Sequence, residues 1–165
     1  MIKGLFALLA AILAIVIVQS CTKEERDPCL QPKTTVLRAR AIHRADTGSA
    51  TPDTLLPNPQ LRPLTGGSVQ YVFGSAGRLS TFTFSLSNVT DSSRWILRPD
   101  SAVAVEDTLT FYYRRQLHFL SNACGYTNFY YIDSVKATTH ALDSTLIKRP
   151  DITTDVNVEN LQIFY

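Results

Sequence analysis

Three cysteines carry the most legible chemistry of the chain: Cys21, Cys29 and Cys124. Cys21 stands where hydrocarbon meets charge, after the apolar run Leu5 to Val18 and before Thr22-Lys23-Glu24-Glu25-Arg26-Asp27. A thiol placed there can be alkylated by a diacylglycerol as a thioether, and an amine freed by cleavage just before it can be acylated. Each buried methylene contributes about 0.8 kcal/mol and one chain alone binds only reversibly, so several chains on one residue make a lasting anchor. Val18-Gln19-Ser20-Cys21 looks like the bacterial lipobox, in which the cysteine becomes the first mature residue. The preceding run supports an export signal: Lys3 is its positive start, and as a helix its fourteen apolar residues span about 21 Å at ~1.5 Å each. A bilayer core needs about 30 Å. An ordinary secretory signal with a chance cysteine, or a plain membrane anchor, are the readings left open.

Cys29 and Cys124 are an even pair, and in an oxidising compartment they are expected to join. The loop so closed spans 95 residues, for which the chain-entropy model gives roughly 4–5 kcal/mol. Two separate thiols are the alternative. No second cysteine or histidine sits at ligand spacing from either, so neither a metal site nor a cofactor is expected. A bond at Cys29 would leave a tether from Cys21 reaching at most about 28 Å, which keeps the domain close to the membrane.

Seven of the ten aspartates are followed directly by Ser or Thr: Asp46, Asp53, Asp91, Asp100, Asp107, Asp133 and Asp143. Such pairs suit turns, because both side chains bond nearby backbone. Thr54, Ser101, Thr108, Ser134 and Ser144 also fit a bacterial O-glycosylation sequon, and the two readings stay open. Asn88-Val89-Thr90 matches the N-linked sequon, a chemistry foreign to a bacterial lipoprotein.

Catalytic sets are thinner. His43, His118 and His140 are the histidines, but no Gly-x-Ser-x-Gly elbow accompanies them. His118 falls on the polar face of its strand. A glycosidase needs two facing carboxylates, and two of the four glutamates lie in the tether. Beyond residue 20, fifteen basic residues (sixteen less Lys3) face fourteen acidic ones. A net charge near +1 gives no electrostatic case for nucleic acid.

Positioning these residues falls to strands. Removing residues 1–20 leaves 145, enough for one domain with a core. The divisions expected are 1–20 as signal peptide, 21–32 as lipid-anchored tether and 33–165 as a single domain. Candidate strands are 34–44, 68–73, 79–86, 94–97, 107–121, 126–139 and 156–165, the last slipping its alternation at Glu159-Asn160. Phe82, Phe84 and Leu86 alternate with polar neighbours, and Leu109, Phe111, Tyr113, Leu117 and Phe119 share one face of the longest strand. Asn122 to Gly125 turns that strand into the next as a hairpin. Residues 47–67, with four prolines and four leucines, read as a loop lying against the domain or offered to a partner. Replacing that loop with a short linker is expected to leave the fold nearly intact. Together these segments predict an all-β chain, an antiparallel immunoglobulin-like sandwich of about seven strands, with a β-barrel as the alternative.

The block Phe111 to Val135, FYYRRQLHFLSNACGYTNFYYIDSV, followed by the terminal VNVENLQIFY, resembles an uncharacterised Bacteroidota lipoprotein family, domain of unknown function sixty-four fifty-two. Its recurring features stand here at Cys21, Cys29 and Ala123 to Tyr126. The resemblance implies an envelope location and this fold, and no activity. Lys23-Glu24-Glu25 resembles a surface-export signal of such lipoproteins and reads equally well as a solvated tether, so both the periplasmic face and the cell surface stay open.

The function expected is therefore that of an outer-membrane lipoprotein, a non-catalytic binding or structural module. It is held to the membrane by lipid and meets an envelope protein or glycan, with no nucleic acid. The alternative is a hydrolase of envelope or extracellular polymers. A flat or groove-like aromatic patch would favour the first reading, and a cleft with two facing carboxylates and an acid of shifted pKa the second. The tyrosines Tyr112, Tyr113, Tyr126, Tyr130 and Tyr131 are the candidates for such a patch.

Overall fold

The computed structural model describes residues 28–44, 50–51, 55–64 and 79–165. The expected signal peptide at 1–20, Cys21, Thr54, and the strand expected at 68–73 with the turn after it lie outside these residues. Two sheets face each other without closing into a barrel, and every regular element among the described residues is a strand.

The first sheet is built around β1 (Leu37–Arg44), flanked by β4 (Thr81–Phe84) and β10 (Leu161–Phe164). β8 (Ser144–Ile147) lies beyond β10, and β2 (Ala50–Thr51) pairs with the far end of β1. The second sheet runs in the order β3 (Gln60–Pro63), β5 (Ser92–Arg98), β6 (Asp107–Ser121), β7 (Gly125–Ala137) and β9 (Asp151–Ile152). The sequence of β1, LRARAIHR, puts Leu37, Ala39 and Ala41 inward and leaves Arg38 and Arg40 half-exposed, the period of two that a one-sided strand requires. Phe82 and Phe84 do the same on β4, Trp95 and Leu97 on β5, and Leu109, Phe111 and Tyr113 on β6. Phe84 ties the two layers together, with its ring centroid 5.6 Å from Trp95 and 5.1 Å from Phe111.

Several expectations are corrected. The all-β sandwich stands, but the described residues alone hold ten strands where about seven were expected. The reason is that β2, β3, β8 and β9 have two, four, four and two residues and are too short to carry a periodic signal. The pairing is not antiparallel throughout: β1 and β10 run parallel, Ala39 opposite Leu161 through Ile42 opposite Phe164.

Asn160, which is buried, latches that junction. Its Oδ1 accepts the Arg38 N–H at 3.0 Å, its own N–H donates to the Arg38 carbonyl, and its Nδ2 donates to the carbonyls of Arg149 and Asp151. This is the slip in alternation at Glu159-Asn160, and the terminal strand begins only at Leu161.

The supposed loop 47–67 contains β3, an edge strand where Pro63 can sit because the outer N–H needs no ladder partner. Leu56 and Leu61 are core residues, so that segment does lie against the sandwich, as one reading had it. Excising it would empty two core positions, and the expectation of a neutral deletion does not survive. Leu117 and Phe119 share the face of Leu109, Phe111 and Tyr113 on β6, as expected, and stand in solvent.

Candidate functional site

The hairpin of β6 and β7 is longer than the sandwich it belongs to. Tyr112 pairs with Ser134 and Tyr113 with Ile132, so Asp133 is an extra residue in β7, a bulge that shifts its alternation. The freed Asp133 carboxylate accepts the Arg114 Nε–H at 3.0 Å. Beyond that point residues 114–119 of β6 are exposed on both faces. On the face continuous with the core, Phe119 meets Tyr126 across the strands, centroids 5.2 Å apart. On the other face, His118 stacks on Phe129 at 4.1 Å and 12°. Gly125, at φ 72°, closes the turn in a conformation that side-chain-bearing residues avoid.

The tip of this extension is where the N-terminal segment arrives. Cys29 and Cys124 are disulfide-bonded, with Cα atoms 4.7 Å apart, as the even pair suggested. Residues 28–36 then run beside β7: the Thr127 hydroxyl donates to the Lys33 carbonyl at 2.8 Å, and the Thr35 side chain bonds the Tyr130 hydroxyl. Whatever precedes Cys29 is thereby led off from the hairpin tip.

Where the extension leaves the sandwich, an open groove of about 660 Å³ lies between β6, β7 and β9. Arg114, Gln116, Tyr131 and Thr153 are among its lining residues, and the Arg114 guanidinium sits 4.6 Å over the Tyr131 ring. The five tyrosines therefore divide. Tyr113 and Tyr130 are core residues packed edge to face at 5.3 Å, whereas Tyr112, Tyr126 and Tyr131 are exposed. Burial, and next the neighbouring Tyr113, push the Tyr130 hydroxyl above its ordinary value.

Two carboxylates have unusual surroundings, and both are held ionised. Asp107 has no exposed surface. Burial would raise its pKa, but the backbone N–H groups of His140, Ala141 and Leu142 and the Thr138 hydroxyl all donate to it and together lower it. His140 Nδ1 lies 3.0 Å from Oδ1, with the rest of the imidazole largely in solvent. Glu106 receives Arg62 at 2.7 Å and Arg98 more closely still, and these bonds outweigh its burial and lower its pKa as well. Asp107 thus pins the connection from β7 to β8, and Glu106 cross-links β3 and β5. His43 meets Tyr165 edge-on at 6.0 Å. Among the described residues no group of three metal-ligating side chains comes together.

The candidate glycosylation positions scatter over several elements. Ser101 is in the turn after β5 and its hydroxyl accepts from Asn58, while Thr108, Ser134 and Ser144 are half-buried in β6, β7 and β8. The turn reading of the Asp-Ser/Thr pairs holds at Asp100, whose carboxylate caps the Ala102 N–H at 2.9 Å. Asp107 and Asp133 sit within strands and bond distant residues instead. The buried role of Asp107 was not readable: its partners lie some thirty positions on, in a segment without a motif.

Residues 65–165 match the family of unknown function DUF6452, and the chain belongs to that family. Among curated proteins and solved structures nothing matches.

Proposed function

We propose that this member of the DUF6452 family is a lipid-anchored module of the outer membrane that acts by binding, with Cys21 as the lipidated residue. The observation that carries the reading is the division of polar groups between fold and surface. The two carboxylates with shifted pKa values are both lowered and both engaged in cross-linking strands, whereas a general acid for polymer hydrolysis is held protonated by a raised pKa. The groove beside the hairpin instead offers a stacked Arg114–Tyr131 pair, an amide at Gln116 and a hydroxyl at Thr153. A flat aromatic face with planar hydrogen-bond donors suits a glycan or a peptide of the envelope.

Lipidation is tested by labelled fatty acid in the producing cell: wild type incorporates label, and Cys21→Ala does not. Binding is tested by capture from solubilised outer membrane with the lipidated protein. A discrete component retained by wild type and lost with the double variant Arg114→Ala, Tyr131→Ala supports the reading. Shortening of an envelope polymer by the purified protein would replace it with the hydrolase.

A further inference from the structure

The distal end of the hairpin carries apolar side chains left exposed among the described residues. Leu117, Phe119 and Tyr126 are 65%, 48% and 61% exposed, and Leu30, next to the disulfide, is 90% exposed. A two-stranded ribbon held clear of the sandwich gains nothing for the core by placing a leucine and two aromatic rings there. The apolar groups also occupy both faces: Leu117, Phe119 and Tyr126 on one, Phe129 stacked on His118 on the other. A protein partner docked against the ribbon would cover one face. A medium that surrounds the tip accounts for both.

The disulfide selects the medium. Because Cys29 is bonded to Cys124, the chain leading back to Cys21 departs from the hairpin tip and not from the sandwich. Eight residue steps at ~3.5 Å give a reach of at most about 28 Å. An anchored Cys21 therefore holds the tip, of all parts of the domain, nearest the bilayer. Charge agrees with that placement. Arg114 and Arg115, at the base of the extension, are paired with Asp133 and Asp91. Beyond them residues 116–132 carry no Asp, Glu, Lys or Arg, and residues 28–36 add only Lys33. A tip without acidic charge is not repelled by phosphate headgroups, Lys33 is drawn to them, and amphipathic aromatic rings settle at the headgroup level.

We propose that the tip of the β6–β7 hairpin rests in the interfacial layer of the membrane, with Leu117, Phe119, Tyr126 and Leu30 against lipid, so that the domain stands upright on its anchor. This rests on Cys21 being the lipidated residue. The upright posture points the sandwich, and the groove at the base of the extension, away from the bilayer.

Trp95 is the single tryptophan and is buried in the sandwich, so a Phe119→Trp variant adds one reporter at the tip and wild type serves as the blank. The lipidated full-length forms are reconstituted into phosphatidylethanolamine–phosphatidylglycerol vesicles containing lipids brominated near the headgroup end of the acyl chain. Intact mass and flotation are read on the same samples. The expected result is acylated, floating protein in which the variant loses at least half of its added emission while wild type is unchanged. Acylated, floating protein with no quenching of the added emission overturns the tip contact and leaves the anchor standing. If the reporter is also unquenched by brominated lipid but becomes shielded from aqueous iodide only in native outer membranes, a protein covers the tip instead. Protein with no acyl mass that fails to float overturns the anchor and the tip contact together.

Discussion

The two halves of the β6–β7 hairpin are made by the same pair of strands in one continuous ladder, yet they obey different rules. In the proximal half, Leu109, Phe111 and Tyr113 point at the opposite sheet and are sealed from water. In the distal half, Leu117 and Phe119 hold the same face of β6 and are exposed. Between Tyr113 and Leu117 that face carries Arg115, turned to Asp91, and beyond it the apolar residues resume with no second layer among the described residues to seal them. A period of two fixes which side chains share a face; a second sheet decides whether that face is a core. An apolar stripe that outlasts its covering layer is therefore a surface feature, and it calls for an explanation outside the fold.

The strongest way to break the comparison is to empty the proximal half. Phe111→Ala removes a fully buried ring that contacts Phe84, and it should cost about 3–5 kcal/mol. Urea unfolding followed by the emission of Trp95, which packs on the same Phe84, measures it directly. A cost under about 1 kcal/mol would mean that the two sheets are not packed as described.

The disulfide bears on the other half. Replacing Cys29 and Cys124 together by serine should lower stability by about 2–4 kcal/mol, the usual range for removing a bridge. The effect falls below the roughly 4–5 kcal/mol that closing its 95-residue separation alone would give. Residues 28–34 are exposed, so the unbridged native state also regains freedom there. Amide exchange should rise at residues 28–36 and at the hairpin turn while the core of β5 and β6 stays protected. Loss of protection across the whole second sheet would make the bridge part of the core instead of a fastening at the tip.

Asp107, at the start of the proximal half, gives a pH-dependent test. Its pKa is lowered by folding from an ordinary value of 3.8. Its contribution is therefore complete above that value and disappears as pH falls through the lower folded pKa. Asp107→Asn puts an NH₂ among three backbone donors and should cost about 1–3 kcal/mol at pH 7. The gap between wild type and variant should narrow below pH 3.8, where the wild-type carboxylate also takes up a proton. A gap that is constant from pH 7 to pH 2.5 would assign the loss to shape and not to charge.

How much of this was legible follows from the reach of each interaction. β6, β7 and their turn were readable to within a residue or two, because fifteen and thirteen residues of alternation end on an Asn122-to-Gly125 turn and need no distant partner. The Cys29–Cys124 bond was readable because reading Cys21 as the lipidated residue leaves a single pairing. β3 was hidden by its prolines, which signal a loop when read locally and an edge strand once β5 is placed beside it. The parallel β1–β10 pair and the Asn160 latch join residues more than 110 positions apart, and no local signal announces such a contact. At the candidate site the tyrosines were recognised as a set, but their division into core and surface depends on the Asp133 bulge, a one-residue change of register. Arg114 could have been paired with Tyr131 only from that register.

The smallest expected effect is the most telling for the comparison. Leu117→Ser should change stability by no more than about 0.5 kcal/mol, the usual range for a surface position away from any special feature. Phe119→Ala loses one exposed cross-strand contact with Tyr126 and should cost about 0.2–1 kcal/mol. Set beside Phe111→Ala, a phenylalanine eight positions earlier on the same face, the ratio of the two costs reads out how far the second layer extends. If Phe119→Ala costs as much as Phe111→Ala in the purified, unlipidated domain, the distal face is covered within the folded domain itself. If it costs little there, while making Leu117 and Tyr126 polar releases the lipidated protein's Phe119→Trp reporter from headgroup quenching, the same side chains that do nothing for folding hold the domain upright. An apolar residue that is neutral in solution and consequential at a membrane is one whose partner lies outside the chain.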